Sequence, residues 1–420
     1  FKVQVCSCSN QHMDLLPLVA AYLEKVGVKL QIQPLIEFDT ALENAVWDEP
    51  RQLWVLDTTR GQYLARTVIF ATGPITESQT PKLPGLDSFT GEMFHSARWN
   101  HDYDLTGKRV AVIGTGASAI QFVPEIQPKV KSLFVFQRTA PWVLPKPDVA
   151  LNDGAKQLIE RFPAIQLGWR KAVATSLNAI NFGLRNPDVL KPVSVAARQL
   201  LRLQIKDAGL RKAVTPDFTL GCKRILFANN YYPALQAANT TLIPHGLVGV
   251  DGNTVIAANG ERHEVDVIIW GTGFKATEFL APMQITGLGG QELNQRWQDG
   301  AEAYLGMTVA GFPNFFMMYG PNTNLGHNSI VFMLESQMNY IKQCALALRE
   351  RGARYLDVQA APMSEFNRKL QERLHKTVWD SGCKSWYVND AGKNTANWSG
   401  FTIDYRVRTS KPNWSHYTIV

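Results

Sequence analysis

The chain has 420 residues, of which 45% are hydrophobic and 19% charged, a composition typical of a globular protein with two or three domains. The net charge of +7 (43 basic against 36 acidic residues) is modest and the basic residues are scattered, which argues against a nucleic-acid-binding surface. No apolar stretch approaches the roughly 20 residues of a membrane-spanning helix, and no signal peptide is recognisable, so we expect no membrane span and a cytoplasmic location.

The cysteines predict neither a disulfide scaffold nor a zinc site, because they are few, odd in number and not spaced as C-x-x-C pairs. They are Cys6, Cys8, Cys222, Cys344 and Cys383. This usage fits a reducing compartment, and we expect no metal. The sequence begins with Phe1 and not with Met, which indicates a missing start.

The first quarter of the sequence predicts one helix followed by a meander of short strands. Apolar residues at helical spacing predict an amphipathic helix over 14–26. The β-rich segments that follow are 28–33, 43–48, 52–58 and 63–73. Turn-type residues separate them, so we expect an antiparallel meander that runs into a buried strand ending at Thr72-Gly73.

A dinucleotide-binding turn occurs in the middle of the chain. A short apolar strand over 108–113 is followed by Gly114, Gly116 and Ala119 in G-x-G-x-x-A spacing, and then by a helix-forming run. The first glycine permits a tight turn, the second lets a pyrophosphate approach the backbone, and the alanine lets the helix lie against the sheet. The alternative is a glycine-rich turn that binds no ligand. We expect a dinucleotide to contact Gly114, Thr115, Gly116, Ser118 and Ala119.

The next strand indicates which nucleotide binds. An NAD-binding protein usually places Asp or Glu at the end of this strand, about 20 residues past the turn. This chain has Arg138 there, 24 residues beyond Gly114, followed by Thr139. A guanidinium can hold the 2′-phosphate of NADP with two parallel hydrogen bonds. We therefore predict NADPH, with a solvated strand-end charge as the alternative role of Arg138.

The second half of the chain mixes helices and strands. Residues 150–215 are helix-prone and strand-poor and predict a helical insert. Strand signals return at 240–244, 254–258 and 265–274. Two further helices are predicted over 329–350 and 364–378, the second with Ser364 as its N-cap.

The alternation of strands and helices predicts the α/β class, with two dinucleotide-binding (Rossmann-like) domains, a helical insert, and an incomplete first domain. The segments 68–74 and 265–274 each end in Thr-Gly. Either they are buried strands with a glycine turn, or the chain crosses between the two domains there. The expected division places residues 1–105 in a first FAD-binding part. Residues 106–262 then form the NADP-binding domain, and 263–420 form the second FAD-binding part with the substrate region.

A signature upstream of the turn makes the resemblance to a known family specific. Phe89, Gly91, His95 and Trp99 follow the pattern F-x-G-x-x-x-H-x-x-x-W, with Asn100 where the family usually has Pro or Asp. The order of the motifs resembles the class B flavoprotein monooxygenases, and most closely their Baeyer–Villiger branch, over roughly residues 15–420. The resemblance implies an enzyme that uses FAD and NADPH. It would insert one oxygen atom of dioxygen into a ketone through a peroxyflavin to give an ester or lactone, or oxidise a soft N or S heteroatom.

The resemblance also implies roles for individual residues. His95 would be a linker residue that couples domain movement to cofactor handling. Lys223 would join Arg138 at the 2′-phosphate of NADP, and Arg224 would lie over the flavin and stabilise negative charge during the reaction. Without the resemblance, adjacent basic residues such as Lys223 and Arg224 would normally indicate a solvated surface.

Two C-terminal segments match the family as well. The segment 319–335 would run from a loop into a helix beginning near Asn328, with Asn322 close to the flavin. Asn322 and Asn324 could equally be ordinary turn residues. The segment 383–387 resembles the family's mobile loop, which would bring Trp386 towards NADP, and Thr72-Gly73 would contact a cofactor too.

One expected motif is missing. Members of the family bind FAD at a G-x-G-x-x-G turn near the N-terminus, but residues 1–13 of this sequence contain no glycine. We therefore expect a family member that lacks its first βαβ unit, and the alternative function is a catalytically inactive NADP-binding remnant. A flavin-free nicotinamide reductase ranks last, because no Tyr/Lys or His/Asp pair accompanies the turn. The expected partners are a small ketone or heteroatom substrate and dioxygen, without nucleic acid, and the chain would be a monomer or weak homo-oligomer.

Overall fold

The computed structural model describes residues 37–146, 148, 150–326 and 328–420. The predicted helix at 14–26, the strand at 28–33, and Cys6 and Cys8 lie outside the described residues. The chain divides into two compact units. The first unit contains the described residues up to Thr76, together with Ala276–Lys376 and Trp386–Val420. The second unit contains Glu77–Lys275 and Thr377–Ser385.

Most strands in the described part of the chain are short. In chain order they are β1 (Leu42–Asp48), β2 (Leu53–Thr58), β3 (Gly61–Ala65), β4 (Val68–Phe70), β5 (Glu92–His95), β6 (Arg109–Ile113), β7 (Ser132–Phe136), β8 (Val143–Leu144), β9 (Leu226–Phe227), β10 (Thr240–Ile243), β11 (Leu247–Asp251), β12 (Thr254–Ala257), β13 (Arg262–Glu264), β14 (Val267–Trp270), β15 (Gln284–Thr286), β16 (Phe315–Met317), β17 (Leu356–Val358) and β18 (Tyr417–Ile419).

The α-helices include one long run between β8 and β9 and two long helices towards the C-terminus. In chain order they are α1 (Ala119–Ile126), α2 (Asp153–Arg161), α3 (Pro163–Arg185), α4 (Pro187–Gln204), α5 (Ala208–Ala213), α6 (Tyr231–Leu235), α7 (Leu293–Arg296), α8 (Ile330–Glu350), α9 (Ala360–Leu374) and α10 (Thr402–Arg408). None of the helices described here combines the length and apolar character needed to cross a membrane.

The second unit is built on a parallel sheet with strand order β10-β7-β6-β14-β5. Its central strands are apolar on both faces: Val110, Ala111 and Val112 of β6 are fully buried. Such continuous apolar runs are typical of a parallel sheet that is covered on both sides. The arrangement confirms the predicted α/β dinucleotide-binding architecture.

The two faces of this sheet bury different partners. Val110 and Val112 pack into a cluster with Ile120 and Val123 of α1. Alternate residues point to the other face because a strand has a period of two. The residue between the two valines, Ala111, packs there into a cluster that includes side chains of the antiparallel sheet β11-β12-β13.

Two stretches outside the predicted NADP-binding domain lie in this second unit. Residues 77–105 belong to it because β5 forms the edge strand of its sheet and pairs with β14. Residues 263–275 belong to it because β14 pairs with β6 as well as with β5. The predicted helical insert over 150–215 is confirmed as α2 to α5.

The first unit contains the predicted antiparallel meander, formed by β1, β2 and β3, and β15 adds to it in parallel with β1. The prediction of one strand segment over 63–73 was wrong. Asn314 donates a side-chain hydrogen bond to the carbonyl of Arg66 (2.8 Å), and its own carbonyl accepts from Val68 (3.1 Å). The chain therefore leaves the meander after β3, and β4 pairs with β16 in a separate parallel sheet.

The predicted helix over 329–350 is confirmed as α8, but the predicted start of the last long helix was wrong. That helix, α9, begins at Ala360 after Gln359, and Ser364 lies inside it. Pro362 falls in the first turn, where a missing backbone N–H costs no hydrogen bond. A helix can therefore begin before this proline, and no serine cap is needed.

Candidate functional site

The glycine turn follows β6 directly. Gly114 has φ +109°, and its amide donates to the carbonyl of Phe136 at the end of β7 (3.0 Å). A Cβ on Gly114 would lie 2.4 Å from the carbonyl oxygen of Gly271, the residue after β14. Only glycine fits this turn, since any side chain would clash with the backbone of the neighbouring strand.

The space beside Gly116 is open. A Cβ built on Gly116 meets no heavy atom within 4 Å, whereas Ala119 at the start of α1 is fully buried. Ser118 is the N-cap residue but makes no side-chain capping bond, and the Thr115 hydroxyl donates to the carbonyl of Thr139 (3.5 Å). The turn therefore leaves an open approach to the amino end of α1, which has the geometry of a pyrophosphate cradle.

Arg138 and Lys223 lie close together at this end of the sheet. Burial lowers the pKa of Lys223, and the positive charge of Arg138 lowers it further, while Asp217 opposes the shift. The Lys223 ammonium lies 4.7 Å from the centroid of the Phe218 ring. Neither Arg138 nor Lys223 forms a salt bridge with any residue in the described ranges. Two neighbouring cations without a bridging carboxylate form a site suited to a multiply charged anion such as a phosphate.

Arg224 presents a free charge. Its side chain is exposed, and it has no hydrogen bond or ion pair within the described part of the chain. The backbone beside it is fixed, because Leu226 donates to the carbonyl of Trp142 (2.9 Å) where β9 pairs with β8. Arg224 therefore places a guanidinium two residues before this anchored strand, where it can act as a fixed cation.

The F-x-G-x-x-x-H-x-x-x-W signature surrounds the edge strand β5. Gly91 precedes the strand, and a Cβ there would lie 2.3 Å from the carbonyl oxygen of Asp266. Phe89 is buried in the cluster under the sheet. Trp99 packs edge-on against both Phe94 and Phe122, at 5.0 and 5.3 Å between ring centroids. The signature residues thus fix β5 against β14 and α1.

His95 is the last residue of β5 and is buried. Its Nδ1 accepts a hydrogen bond from the amide of Ala97 (3.1 Å), and its ring packs edge-on against Phe274 (5.6 Å). Burial lowers the pKa of His95, and the Arg98 charge adds to this effect, while the Gly273 backbone opposes it. His95 is therefore held neutral beside the Thr272-Gly273-Phe274 turn, which suits a positioning role.

In the first unit, the predicted cofactor residues Thr72 and Gly73 follow β4. Gly73 has φ +70°, and a Cβ there would lie 3.8 Å from the ring of Tyr319. Because β4 pairs in parallel with β16, the turn after β4 and the loop after β16 lie at the same end of this sheet.

Asn322 lies in that loop and is buried in a polar network. It has φ +57°, and its side-chain amide donates to the carbonyl of Asn394 (2.7 Å). Asn324 donates to Oδ1 of Asn397 (2.8 Å). The asparagines therefore hold the loop to the segment 394–397, which sequence reasoning missed. The signal for it was the similarity of the two stretches, Asn-Thr-Asn at 322–324 and Asn-Thr-Ala-Asn at 394–397.

The network leaves one acceptor of Asn322 unused. Its Oδ1 is buried and has no hydrogen-bond partner in the described structure. A buried acceptor of this kind is costly unless a donor reaches it.

The expectation that the cysteines form no disulfide was wrong. Cys222 and Cys383 are joined, with their Cα atoms 6.3 Å apart, although 161 positions separate them in the sequence. The number and spacing of cysteines do not determine which of them pair, so the sequence carried no signal for this pair. Cys344 is a buried free thiol, and Trp386, three residues after Cys383, is 37% exposed and packs against Tyr387.

Solved structures with this fold include complexes with NADP and with FAD and NADP together. The chain superposes on an oxidized steroid monooxygenase bound to NADP with a TM-score of 0.82 and 29% identity, covering 96% of this chain and 84% of the other. It superposes on OTEMO in complex with FAD and NADP with a TM-score of 0.83 and 26% identity, covering 96% and 85%. These similarities confirm the predicted fold class.

Sequence relatives identify the family. A profile described as flavin-binding monooxygenase-like matches residues 56–154. A Baeyer–Villiger monooxygenase of Pseudomonas aeruginosa is 45% identical over 405 residues, which is 96% of this chain and 77% of the relative. One from Streptomyces coelicolor is 41% identical over 406 residues, covering 96% and 78%. The chain belongs to the Baeyer–Villiger monooxygenases of the flavin-binding monooxygenase-like family.

Proposed function

We propose that this chain is an NADPH- and FAD-dependent monooxygenase that converts a ketone into an ester or lactone by inserting one atom of dioxygen. The observation that carries the proposal furthest is the pair of neighbouring cations, Arg138 and Lys223, beside the open glycine turn. This pair would favour the phosphorylated nicotinamide nucleotide, NADPH, over NADH as the electron donor.

NADPH binding is the part of the proposal with the most support in the described residues. The open space at Gly116 fits the pyrophosphate, and the amino end of α1 favours its negative charge. Arg138 and Lys223 would hold the 2′-phosphate, with Thr139 beside them. The NADP-bound steroid monooxygenase and OTEMO share the fold and support this assignment.

FAD would be held by residues of the first unit. Thr72, Gly73 and Asn322 are the candidates, since they follow the paired strands β4 and β16. The buried, unpaired Oδ1 of Asn322 fits a cofactor that offers hydrogen-bond donors, as the flavin ring system does. When bound, FAD supplies the activation of dioxygen, which amino-acid side chains cannot readily provide.

Arg224 would stabilise negative charge at the reacting centre. Attack on a ketone carbonyl places charge on the carbonyl oxygen, and a fixed cation lowers the free energy of that state. Arg224 has no carboxylate partner within the described ranges, so its guanidinium would be available to the substrate.

A ketone is favoured over a heteroatom substrate because the relatives with 45% and 41% identity are both named Baeyer–Villiger monooxygenases.

Cofactor retention and coupled turnover test this function. We would mix the purified chain with FAD, desalt it, record the visible flavin spectrum, and follow NADPH oxidation with panels of ketones and of sulfides. The expected result is retained flavin and NADPH oxidation that depends on a ketone. Loss of all flavin on desalting while NADPH still binds would contradict the proposal, and oxidation stimulated only by sulfides would assign the heteroatom reaction instead.

A further inference from the structure

The Cys222–Cys383 cystine lies in the second unit and joins two parts of the chain that are far apart in sequence. Cys383 belongs to Thr377–Ser385, the stretch by which the chain returns to this unit after Lys376. We name Thr377–Ser385 the return segment. Cys222 directly precedes Lys223, a proposed ligand of the NADPH 2′-phosphate.

The return segment is attached to the residues just before Lys223 at two places. Val378, at its amino end, is fully buried, and its Cγ1 lies 3.4 Å from the position that a Cβ on Gly221 would take. Cys383, near its carboxyl end, is bonded to Cys222. The backbone at 221–222 therefore has the buried Val378 side chain beside it and is held to the return segment by a covalent bond. We call this arrangement the clamp.

This clamp acts on a lysine that is held under repulsion. The pKa of Lys223 is lowered by burial and by the charge of Arg138. In the protein without nucleotide, movement of the ammonium away from the arginine would therefore lower the free energy. The cystine opposes such a movement because it fixes the adjacent residue to the return segment. Resting on the function proposed above, we propose that the Cys222–Cys383 cystine is a redox-active site for small thiols, and that the oxidised form holds Lys223 in the position that binds the 2′-phosphate of NADPH.

The two sulfurs differ in access. Cys222 is fully buried, whereas Cys383 is partly exposed between the exposed residues Gly382 and Lys384. An incoming thiolate therefore attacks Sγ of Cys383, the S–S bond breaks, and its electron pair leaves on Sγ of Cys222, which takes up a proton. With a dithiol, the second thiol of the reagent then attacks the mixed disulfide. Cys383 is released as a thiol, the reagent becomes a cyclic disulfide, and the two electrons of the dithiol reside on the two cysteines.

The test compares nucleotide binding by the oxidised and the reduced chain. The protein is treated with dithiothreitol or with its cyclic disulfide, and thiol alkylation with peptide mapping reports the state of Cys222 and Cys383. Dissociation constants for NADPH and NADH are then measured in each state. Because a charge-assisted hydrogen bond contributes about 1.5–3 kcal/mol, we expect reduction to weaken NADPH binding about tenfold or more. NADH, which lacks the 2′-phosphate, should bind equally in both states.

Single-cysteine variants provide the matched controls. Cys383→Ser should bind NADPH like the reduced wild type and lose its response to dithiothreitol. Cys344→Ser, at the buried free cysteine, should keep the response. Equal NADPH preference in the two redox states, or failure of Cys222 and Cys383 to pair under the cyclic disulfide, would overturn the inference alone. Absence of any NADPH preference in both states would overturn the proposed function together with it.

Discussion

The ammonium of Lys223 lies close enough to the guanidinium of Arg138 for the positive charge of the arginine to lower the pKa of the lysine. Such an arrangement is unfavourable in the free protein, since like charges repel and burial adds a desolvation penalty. An anion placed between the two groups would attract both cations and offset their repulsion. The repulsion is therefore a structural mark of an anion site, and it predicts the nucleotide preference of the chain.

Replacing Arg138 by Ala should weaken NADPH binding by about tenfold or more and leave NADH binding unchanged, because only NADPH presents the phosphate that the guanidinium would hold. Titration of each nucleotide against the purified variant measures this. Arg202→Ala, which removes an exposed arginine from α4, serves as the control and should change neither constant. An equal loss for NADPH and NADH would rule out the 2′-phosphate role.

NADPH binding should depend on pH through Lys223. The lowered pKa means that the free protein loses the Lys223 proton below the usual lysine range, whereas a bound phosphate favours the protonated form. Affinity should therefore fall as the pH rises through that lowered pKa, and binding there should take up protons. Calorimetry of NADP⁺ binding at alkaline pH, in two buffers of different ionisation enthalpy, measures the uptake.

Lys223→Arg is the matched control for this pH dependence. Arginine stays charged over the whole range, so the variant should bind with no proton uptake at alkaline pH. Proton uptake of the same size in Lys223→Arg would show that another group is responsible.

The two glycines of the turn should respond differently to alanine. Gly114→Ala should lower the free energy of unfolding by more than about 1 kcal/mol, because its φ is positive and the new Cβ would clash with the Gly271 carbonyl. Gly116→Ala should leave stability unchanged, since the space around it is open, but should weaken NADPH and NADH alike by filling the pyrophosphate approach. Denaturant unfolding measures the effect on stability, and nucleotide titration measures the effect on binding. Unchanged nucleotide binding in Gly116→Ala would contradict the proposed approach of the pyrophosphate at Gly116.

His95 should make the second unit sensitive to acid. Its pKa is lowered in the folded protein, so below the ordinary histidine value of about 6.5 the unfolded chain binds more protons than the folded chain. Stability should therefore be lost as the pH falls from about 6.5 through the lowered pKa, and should be unaffected by this group above it. His95→Asn keeps an acceptor for the Ala97 amide. In this variant the melting temperature should decrease less than in the wild type as the pH is lowered.

The control for the acid response is His101→Asn, because His101 is exposed. This variant should lose stability with acid as the wild type does. The role of buried His95 would be refuted if the two variants gave the same melting temperatures between pH 5 and 7.

Replacing Arg224 by Ala should uncouple NADPH consumption from product formation. NADPH binding uses Arg138 and Lys223 and should persist, while the charge that would stabilise the reacting carbonyl oxygen is gone. The ratio of ester formed to NADPH consumed should fall at least about tenfold. Arg224→Lys should restore part of this ratio, because lysine carries the positive charge but lacks the planar guanidinium with its paired hydrogen-bond donors. An unchanged ratio in Arg224→Ala would exclude the assignment.

Sequence motifs predicted those parts of the fold whose residues are close together in the sequence. The G-x-G-x-x-A spacing lies within six residues and predicts a strand, a turn and a helix, and the structure has β6, the turn at Gly114 and α1 from Ala119 in that order. The proximity of Lys223 to Arg138, in contrast, followed only from the family resemblance, because 84 intervening residues carry no spacing signal.

Features set by long-range contacts could not be predicted. Asn314 hydrogen-bonds to the backbone between β3 and β4 although it lies about 250 positions away in the sequence. Cys383 forms a disulfide with Cys222, which is 161 positions away. The start of α9 at Ala360 depends on what a first-turn proline permits, and the serine at 364 was a misleading local signal. The orphaned acceptor of Asn322 likewise became visible only when its neighbours at 394–397 were in place.

The most direct test of the central claim is the fate of dioxygen. The FAD-reconstituted chain would be supplied with NADPH, a ketone and ¹⁸O₂, and the product analysed by mass spectrometry against a reaction under ordinary oxygen. We predict an ester or lactone that carries one heavy oxygen atom and forms in proportion to NADPH consumed. Consumption of NADPH with no labelled ester or lactone from any ketone would contradict a Baeyer–Villiger monooxygenase activity of this chain.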